Sequence, residues 1–181
     1  MRTILIFAAS AALAGCETVQ STWSSLTGGS KDEPRATAQL KPLGTHKAFG
    51  EATFDQVGNK VRLVAYLQGL KPGQEHGFHI HEVGDCSSPD GMSAKGHFNP
   101  FGKPHGNPAS AERHAGDLPA LKADKGGRAK VDVELDTLTV TPGPASIVGR
   151  GLIVHADPDD YKTQPTGNAG ARLACGVIQR N

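Results

Sequence analysis

No excess of charge of either sign marks this chain: 19 lysines and arginines stand against 18 aspartates and glutamates, a formal net charge of +1. That balance gives no ground for a nucleic-acid or anionic-membrane surface, so any field that matters has to be local. Long apolar runs are also missing. The run over residues 4–14 is too short to cross a membrane. Aromatic residues are few, at 5%, and apolar content is modest at 37%, whereas 23 glycines and 12 prolines are spread through the 181 residues. Such a composition argues against a helical bundle and for one turn-rich, mostly β domain. The length suffices for a real hydrophobic core.

The first residues belong to no fold. Arg2 gives a positive start, an apolar run follows, and "LAGC" closes it at Cys16, the shape of an export signal over 1–15. The tetrapeptide resembles the lipobox of bacterial lipoproteins, which implies cleavage before Cys16 and acylation there. A plain signal peptide that happens to contain a cysteine is the alternative. Of the three cysteines, the lipid-bearing reading of Cys16 leaves Cys86 and Cys175. In an exported protein these have a single possible pairing. Residues 16–36 are polar and rich in Ser, Thr and Gly, with Trp23 and Leu26 as exceptions, and read as a flexible tether. The folded domain is expected over 37–181.

Strand signals recur in that domain. "AFGEATFDQ" (48–56) alternates imperfectly and "KVRLVAYLQGL" (60–70) does so better. "AKVDVELDTLTV" (129–140) sets Val131, Val133 and Leu135 on one face and Asp132, Glu134 and Asp136 on the other. "SIVGRGLIVHA" (146–156) and "RLACGVIQ" (172–179) read as buried strands. Short strands with turn signals between them predict a β-sandwich or barrel. Two stretches, 83–127 and 156–171, have little strand character and are crowded with Gly, Pro, His and Asp. Long irregular loops on a compact β domain are usually functional or disordered.

The candidate chemistry lies in and beside those loops. If "GFHIH" is a strand, His79 and His81 project from one face while Phe78 and Ile80 project from the other. Two imidazoles so placed can grip one metal ion, although an isolated His-x-His pair is weak evidence. The loop that follows carries His97, His105, His114 and Asp117, and three imidazoles with a carboxylate make a tetrahedral zinc set. A loop with no core of its own gains a cross-link from a closed metal site. "IVHA" adds His155 at the end of an apolar strand. Seven side chains fill two four-ligand sites if one is shared, and a three-ligand site beside the zinc set fits the same count.

Through "HGFHIHEVGDC", "GHFNP", "ERHAGDL", "GLIVHADPDD" and "TGNAGARLACGVI", the chain resembles the copper/zinc superoxide dismutases, in particular the bacterial exported ones, from about residue 37 onward. The resemblance implies an eight-stranded Greek-key β-barrel and dismutation of superoxide to oxygen and hydrogen peroxide. It implies copper on His79, His81, His97 and His155 and zinc on His97, His105, His114 and Asp117, with His97 serving both ions. It further implies that Asp159 hydrogen-bonds His79 and His105, that Cys86 and Cys175 form a disulfide, and that Arg172 attracts and orients the substrate. Thr166 would narrow the channel opposite Arg172, and Lys162 would add positive potential. His76 is implied as a structural histidine; His46 matches nothing and reads as a surface residue. The export signal and Cys16 place the protein in the periplasm on a lipid anchor, and Glu17 favours the outer membrane. A homodimer is the expected assembly, and its surface is left open because the chain mixes features of bacterial and eukaryotic members. A non-catalytic periplasmic copper/zinc-binding protein is the competing reading, and it has no use for Arg172 or an open copper position.

Overall fold

The computed structural model describes residues 33–181; the expected signal segment, Cys16, Trp23 and Leu26 lie outside the described residues. Ten strands follow in chain order: β1 (Arg35–Pro42), β2 (Phe49–Val57), β3 (Lys60–Gln68), β4 (Glu75–His76), β5 (Phe78–His81), β6 (Leu121–Lys122), β7 (Ala129–Leu135), β8 (Gly151–His155), β9 (Arg172–Val177) and β10 (Gln179–Arg180). No α-helix forms among the described residues.

The alternation rule that predicts these strands also sets their faces. On β3, Val61, Leu63, Ala65 and Leu67 are buried, while Arg62 and Lys60 point outward and pair with Asp132 (2.9 Å) and Glu134 (2.8 Å) of β7. Eight strands make one antiparallel sheet in the order β5-β8-β9-β1-β2-β3-β7, with β10 also beside β1. That sheet curls. Phe78 and Ile80 from β5 at one end and Val131 from β7 at the other join a single core with Phe54, Leu63 and Leu152. The β3–β5 connection crosses from one end of the sheet to the other and the β7–β8 connection crosses back, the expected Greek-key barrel. Each large apolar side chain so enclosed contributes about 1.5–3 kcal/mol.

Two expectations shift in detail. The apolar stretch 146–156 is a strand only from Gly151, because Gly149 takes a left-handed φ of 81° and the chain turns there. β1 opens the domain at Arg35, slightly ahead of the expected boundary. Its inward residues Ala36 and Ala38 are small, so its apolar signal is faint.

β5 and β8 are buried on both faces. Phe78, Ile80, Leu152 and Val154 face the barrel core, which leaves His79, His81 and His155 facing away from it. The outer edge of β5 finds its backbone partners in the long loop. Phe98 N–H donates to Ile80 O (2.8 Å) and Ile80 N–H to Gly116 O (2.9 Å), and single bridges join His81 to His97 and His79 to Asp117. Gly116 permits this approach: a Cβ there would lie 2.3 Å from Ile80 O.

Candidate metal centre

The barrel edge delivers six imidazoles and one carboxylate to one place. His79, His81, His97 and His155 form one group, and His97, His105, His114 and Asp117 form another. All are buried, and within each group the potential ligand atoms lie within 4.8 Å of one another. Every ligand candidate read from the sequence is in one of these groups, and His97 is in both.

Hydrogen bonds decide which nitrogen each ring has to offer. Asp159, buried, accepts from His79 Nε2 on one oxygen (2.6 Å) and from His105 Nε2 on the other (2.9 Å). This fixes both rings, leaves His79 with Nδ1 as its lone-pair nitrogen, and makes Nδ1 the nitrogen that His105 offers to a metal once its proton is displaced. His81 donates Nδ1–H to Lys95 O (2.8 Å), so its Nε2 carries the lone pair. His155 is oriented likewise by Gly170 O at 3.4 Å. His81 Nε2 and His155 Nε2 then face each other at 3.3 Å, lone pair to lone pair, an arrangement that calls for a cation between them. His79 Nδ1 and His97 Nε2 are buried without a hydrogen-bond partner. On the other side of the His97 ring, Nδ1 lies 2.9 Å from Asp117 Oδ1. His105 Nδ1 is 3.0 Å and His114 Nδ1 3.4 Å from the same oxygen. Gly167 makes room for the Asp159 bridge: its φ is +66°, and a Cβ there would sit 2.0 Å from Asp159 Oδ1.

The two groups differ in electrostatics. Burial, reinforced by neighbouring imidazoles, holds His81 and His155 well below the ordinary imidazole pKa, and burial takes His97 down to about 4 despite Asp117. All three rings are therefore neutral at pH 7 and ready to donate lone pairs. Burial opposes protonation of His105 too, but hydrogen bonds to Asp117 and Asp159 outweigh it and push the ring up to about 9. Asp117 and Asp159 are themselves held far below the usual carboxylate range, their imidazole partners overcoming burial. One group is all-imidazole, with three of its rings held neutral; the other pairs a fixed anion with a ring that holds a proton at pH 7.

An open pocket reaches the all-imidazole group from solvent, lined by His81, His155, Lys95, Thr166 and Arg172 among others. Arg172 is pinned there by two backbone carbonyls, Nη1 to Gly91 O and Nη2 to Lys95 O, both 2.6 Å. Lys95 O thus receives both a metal-facing histidine and the arginine, and Lys95 takes a left-handed φ of 61° to present it. The Cys86–Cys175 disulfide, with Cα atoms 5.7 Å apart, ties the loop after β5 to the strand carrying Arg172. Thr166 stands on the same pocket as expected, whereas Lys162 is exposed on the neighbouring loop and is not among the lining residues.

These donors fit the two metals. Orphaned nitrogens and opposed lone pairs in an all-imidazole set suit copper, and three imidazoles with a carboxylate suit zinc. Comparison with known proteins agrees. The family model described as "Copper/zinc superoxide dismutase (SODC)" matches residues 48–178. The chain belongs to the copper/zinc superoxide dismutase family. It is similar to "Superoxide dismutase [Cu-Zn] 2" of Aquifex aeolicus (strain VF5), 42% identical over 137 residues, covering 74% of this chain and 80% of the relative. It is also similar to "Superoxide dismutase [Cu-Zn]" of Paramecium bursaria Chlorella virus 1, 45% identical over 136 residues, covering 71% of each. A solved structure titled "Crystal Structure Analysis of the clock protein EA4" matches with a TM-score of 0.74 at 40% identity, covering 83% of this chain and 97% of that one. Family membership makes this protein an oxidoreductase that dismutates superoxide and uses copper and zinc.

Sequence reasoning missed two parts of the site. The Lys95 carbonyl is a backbone group and carries no residue signature. Gln164 grips the backbone of His105 twice, accepting from its N–H (2.9 Å) and donating to its carbonyl (2.9 Å); an amide in a polar loop gives no sign of such a role.

Proposed function

We propose that copper is held by His79 Nδ1, His81 Nε2, His97 Nε2 and His155 Nε2, and zinc by the Nδ1 atoms of His97, His105 and His114 with Asp117. The observation that carries this placement is the His97 ring, which turns a buried, unpartnered Nε2 toward one group and Nδ1 toward the other. Copper, when bound, supplies the one-electron couple through which two superoxide ions and two protons become oxygen and hydrogen peroxide.

The chain's own residues do the rest. Superoxide is a small anion with little shape, so charge and access select it. The Arg172 guanidinium, held by Gly91 O and Lys95 O, attracts the anion to the pocket beside His81 and His155 and orients it there. Thr166 narrows the entrance, and Lys162 adds a more distant positive charge. His97 Nε2 is where one proton is held and passed to the product, and Asp117 fixes the opposite side of that ring. Asp159 keeps His79 and His105 in their ligating tautomers.

The decisive experiment joins metal analysis and copper(II) spectroscopy with a dismutation assay on wild type and Arg172→Glu. Equimolar copper and zinc, an imidazole-rich copper(II) spectrum and a rate lost on charge reversal are expected. A protein that binds both metals yet shows no rate to lose is a buffer, and the reading fails.

We further infer export, with acylation at Cys16 and an outer-membrane anchor in the periplasm. The charge, length and "LAGC" ending of the first segment support it, and a persistent disulfide suits an oxidising compartment. Metabolic labelling with a radioactive fatty acid tests the anchor: Cys16→Ser abolishes incorporation if the inference holds. A homodimer is the assembly we expect, with exposed Phe49 and Tyr66 on the outside of the barrel as apolar surface for a contact. Sedimentation of the loaded protein checks it.

A further inference from the structure

The pocket that admits superoxide also has to admit copper, and its two cations beside the buried imidazoles favour the anion. Arg172 and Lys95 both line it beside His81 and His155, so an incoming metal ion meets the repulsion that concentrates the substrate. Two metal-donating side chains stand on the same lining, His46 and Met92. Both are exposed, Met92 at 59%. The chain has only one other methionine, Met1, and burial of a thioether is no reason for one to stand at this pocket.

Their nearness is built in. His46 closes a short turn, its N–H donating to Leu43 O (3.0 Å). Met92 begins the 3-10 turn Met92–Ala94, its N–H held by Asp90 Oδ1 (3.0 Å). The two turns are pressed together: Leu43, Ala94, Ile153 and the Cys86–Cys175 pair share one small core. A Cβ on Gly91 would lie 2.7 Å from Leu43 Cδ1, and one on Gly44 3.3 Å from Pro89 O. A disulfide-braced support thus holds both side chains at the rim without using either for packing. A thioether with an imidazole is a soft set that selects copper(I) over zinc and over hard cations. A monovalent ion also suffers less repulsion from Arg172 and Lys95 than a divalent one. Asp90, on the same lining, supplies a countercharge.

We propose that His46 and Met92 form a transit site that captures copper(I) at the pocket mouth and passes it to His81 and His155. The proposal rests on placing copper among His79, His81, His97 and His155. The step is ligand exchange alone: bonds to the Met92 sulfur and the His46 imidazole break as bonds to the buried imidazoles form, and no electron moves.

The test supplies copper(I) in a weak acetonitrile complex, without oxygen, to zinc-loaded, copper-free protein. Samples are withdrawn over time, freed of unbound metal, oxidised and read by their copper(II) spectrum. The His46→Asn, Met92→Leu double variant should reach the wild-type end point but load slower by on the order of tenfold, the lower end of what loss of a supporting metal contact costs. In fully loaded protein, silver(I), a redox-silent stand-in for copper(I), should shift the Met92 methyl resonance, assigned by its disappearance in Met92→Leu. His46→Asn should weaken that shift. Loading of the double variant at the wild-type rate, or a Met92 methyl that silver(I) leaves unmoved, overturns the transit site. An end-point spectrum without the imidazole-rich signature in every variant overturns instead the copper placement on which it rests.

Discussion

Replacing Asp159 with alanine isolates the support that the two metal sets share. The carboxylate accepts from His79 Nε2 at 2.6 Å and from His105 Nε2 at 2.9 Å, and its Oδ1 also takes the Tyr161 N–H at 2.7 Å. Alanine leaves two buried ring N–H groups without an acceptor. Either ring then relieves the loss by rotating or by moving its proton to Nδ1, the nitrogen that binds metal. A hydrogen bond to a charged group contributes about 1.5–3 kcal/mol, so each metal should bind roughly 10–150-fold more weakly. One opposing effect has to be set aside. Asp159 is one of two carboxylates holding His105 up to about 9, so removing it also removes part of the proton's competition with zinc at neutral pH. Zinc affinity is therefore best read above about pH 9, by competition with a chelator, and copper affinity in the same way. Asparagine, with one carbonyl oxygen and one donating amide, can serve only one of the two rings, so Asp159→Asn should lose less in total than Asp159→Ala. Should Asp159→Ala leave both affinities unchanged, or weaken one set alone, the carboxylate does not support the two sets as the hydrogen bonds indicate.

The remaining predictions use charge, pH and covalent constraint. Arg172→Glu should lower the dismutation rate at least about tenfold at low ionic strength and invert its salt response, so that added salt raises the rate; a rate that still falls with salt places the steering charge elsewhere. In the metal-free domain, folded His97 takes its proton only at about 4, whereas an unfolded imidazole does so near 6.5. The unfolded chain binds more protons in that window, so stability falls with pH below about 6.5, by about 3 kcal/mol from His97 alone at pH 4. His105 acts in the opposite sense: raised to about 9, it contributes stability below 6.5 that is lost as pH climbs through 9, so urea melts should show a maximum near pH 6.5. At pH 7 zinc has to displace that His105 proton, so calorimetry in buffers of different ionisation enthalpy should find close to one proton released per zinc; when copper follows, the neutral His81 and His155 release none and the shared His97 ring gives up its one remaining proton. The Cys86–Cys175 bridge closes a loop with a sequence separation of 89, and opening it by Cys86→Ser with Cys175→Ser should cost up to about 4–5 kcal/mol in the chain-entropy account. Unaltered urea midpoints would mean that the unfolded chain is held by other constraints.

How much of this was legible in the sequence depends on what carries the information. Alternation placed β3 and β7 and assigned their faces, because a half-buried strand has to repeat every second residue. The metal-facing set was legible for a related reason: His79 and His81 share a face by strand geometry, and imidazoles and carboxylates are the only side chains there able to hold these ions. β1 gives little signal because two of its three inward positions are alanines, and the strand read over 146–156 is too long because the turn at Gly149 depends on a tertiary partner, Ile178 O, which accepts its N–H at 2.8 Å. Backbone groups left no trace. Nothing in "SAKGH" says that the Lys95 carbonyl orients both His81 and Arg172. Nor does "TQPTG" announce that Gln164 pairs with the main chain of His105.

The fold and the site are one problem. A curled sheet leaves β5 at an edge, and an edge strand with free backbone groups needs a partner. The partner is the loop bearing His97 and Asp117, bonded to β5 at Ile80 and closed beneath Gly116. The same backbone pairing that covers the edge sets His97 opposite His81 and Asp117 opposite His79. Ligand placement therefore follows from strand pairing and needs no separate device. In return, the ligands turn lone pairs toward one another inside the protein, His81 toward His155 at 3.3 Å, and set three imidazoles around the single oxygen of Asp117. The first is unfavourable unless a cation lies within it; in the second, ring protons hydrogen-bonded to the carboxylate stand where a cation would bind. Metal binding is consequently folding free energy for this edge of the barrel. The loop should gain hydrogen-exchange protection at Phe98 and Gly116 when zinc binds, well beyond any gain in β2 and β3.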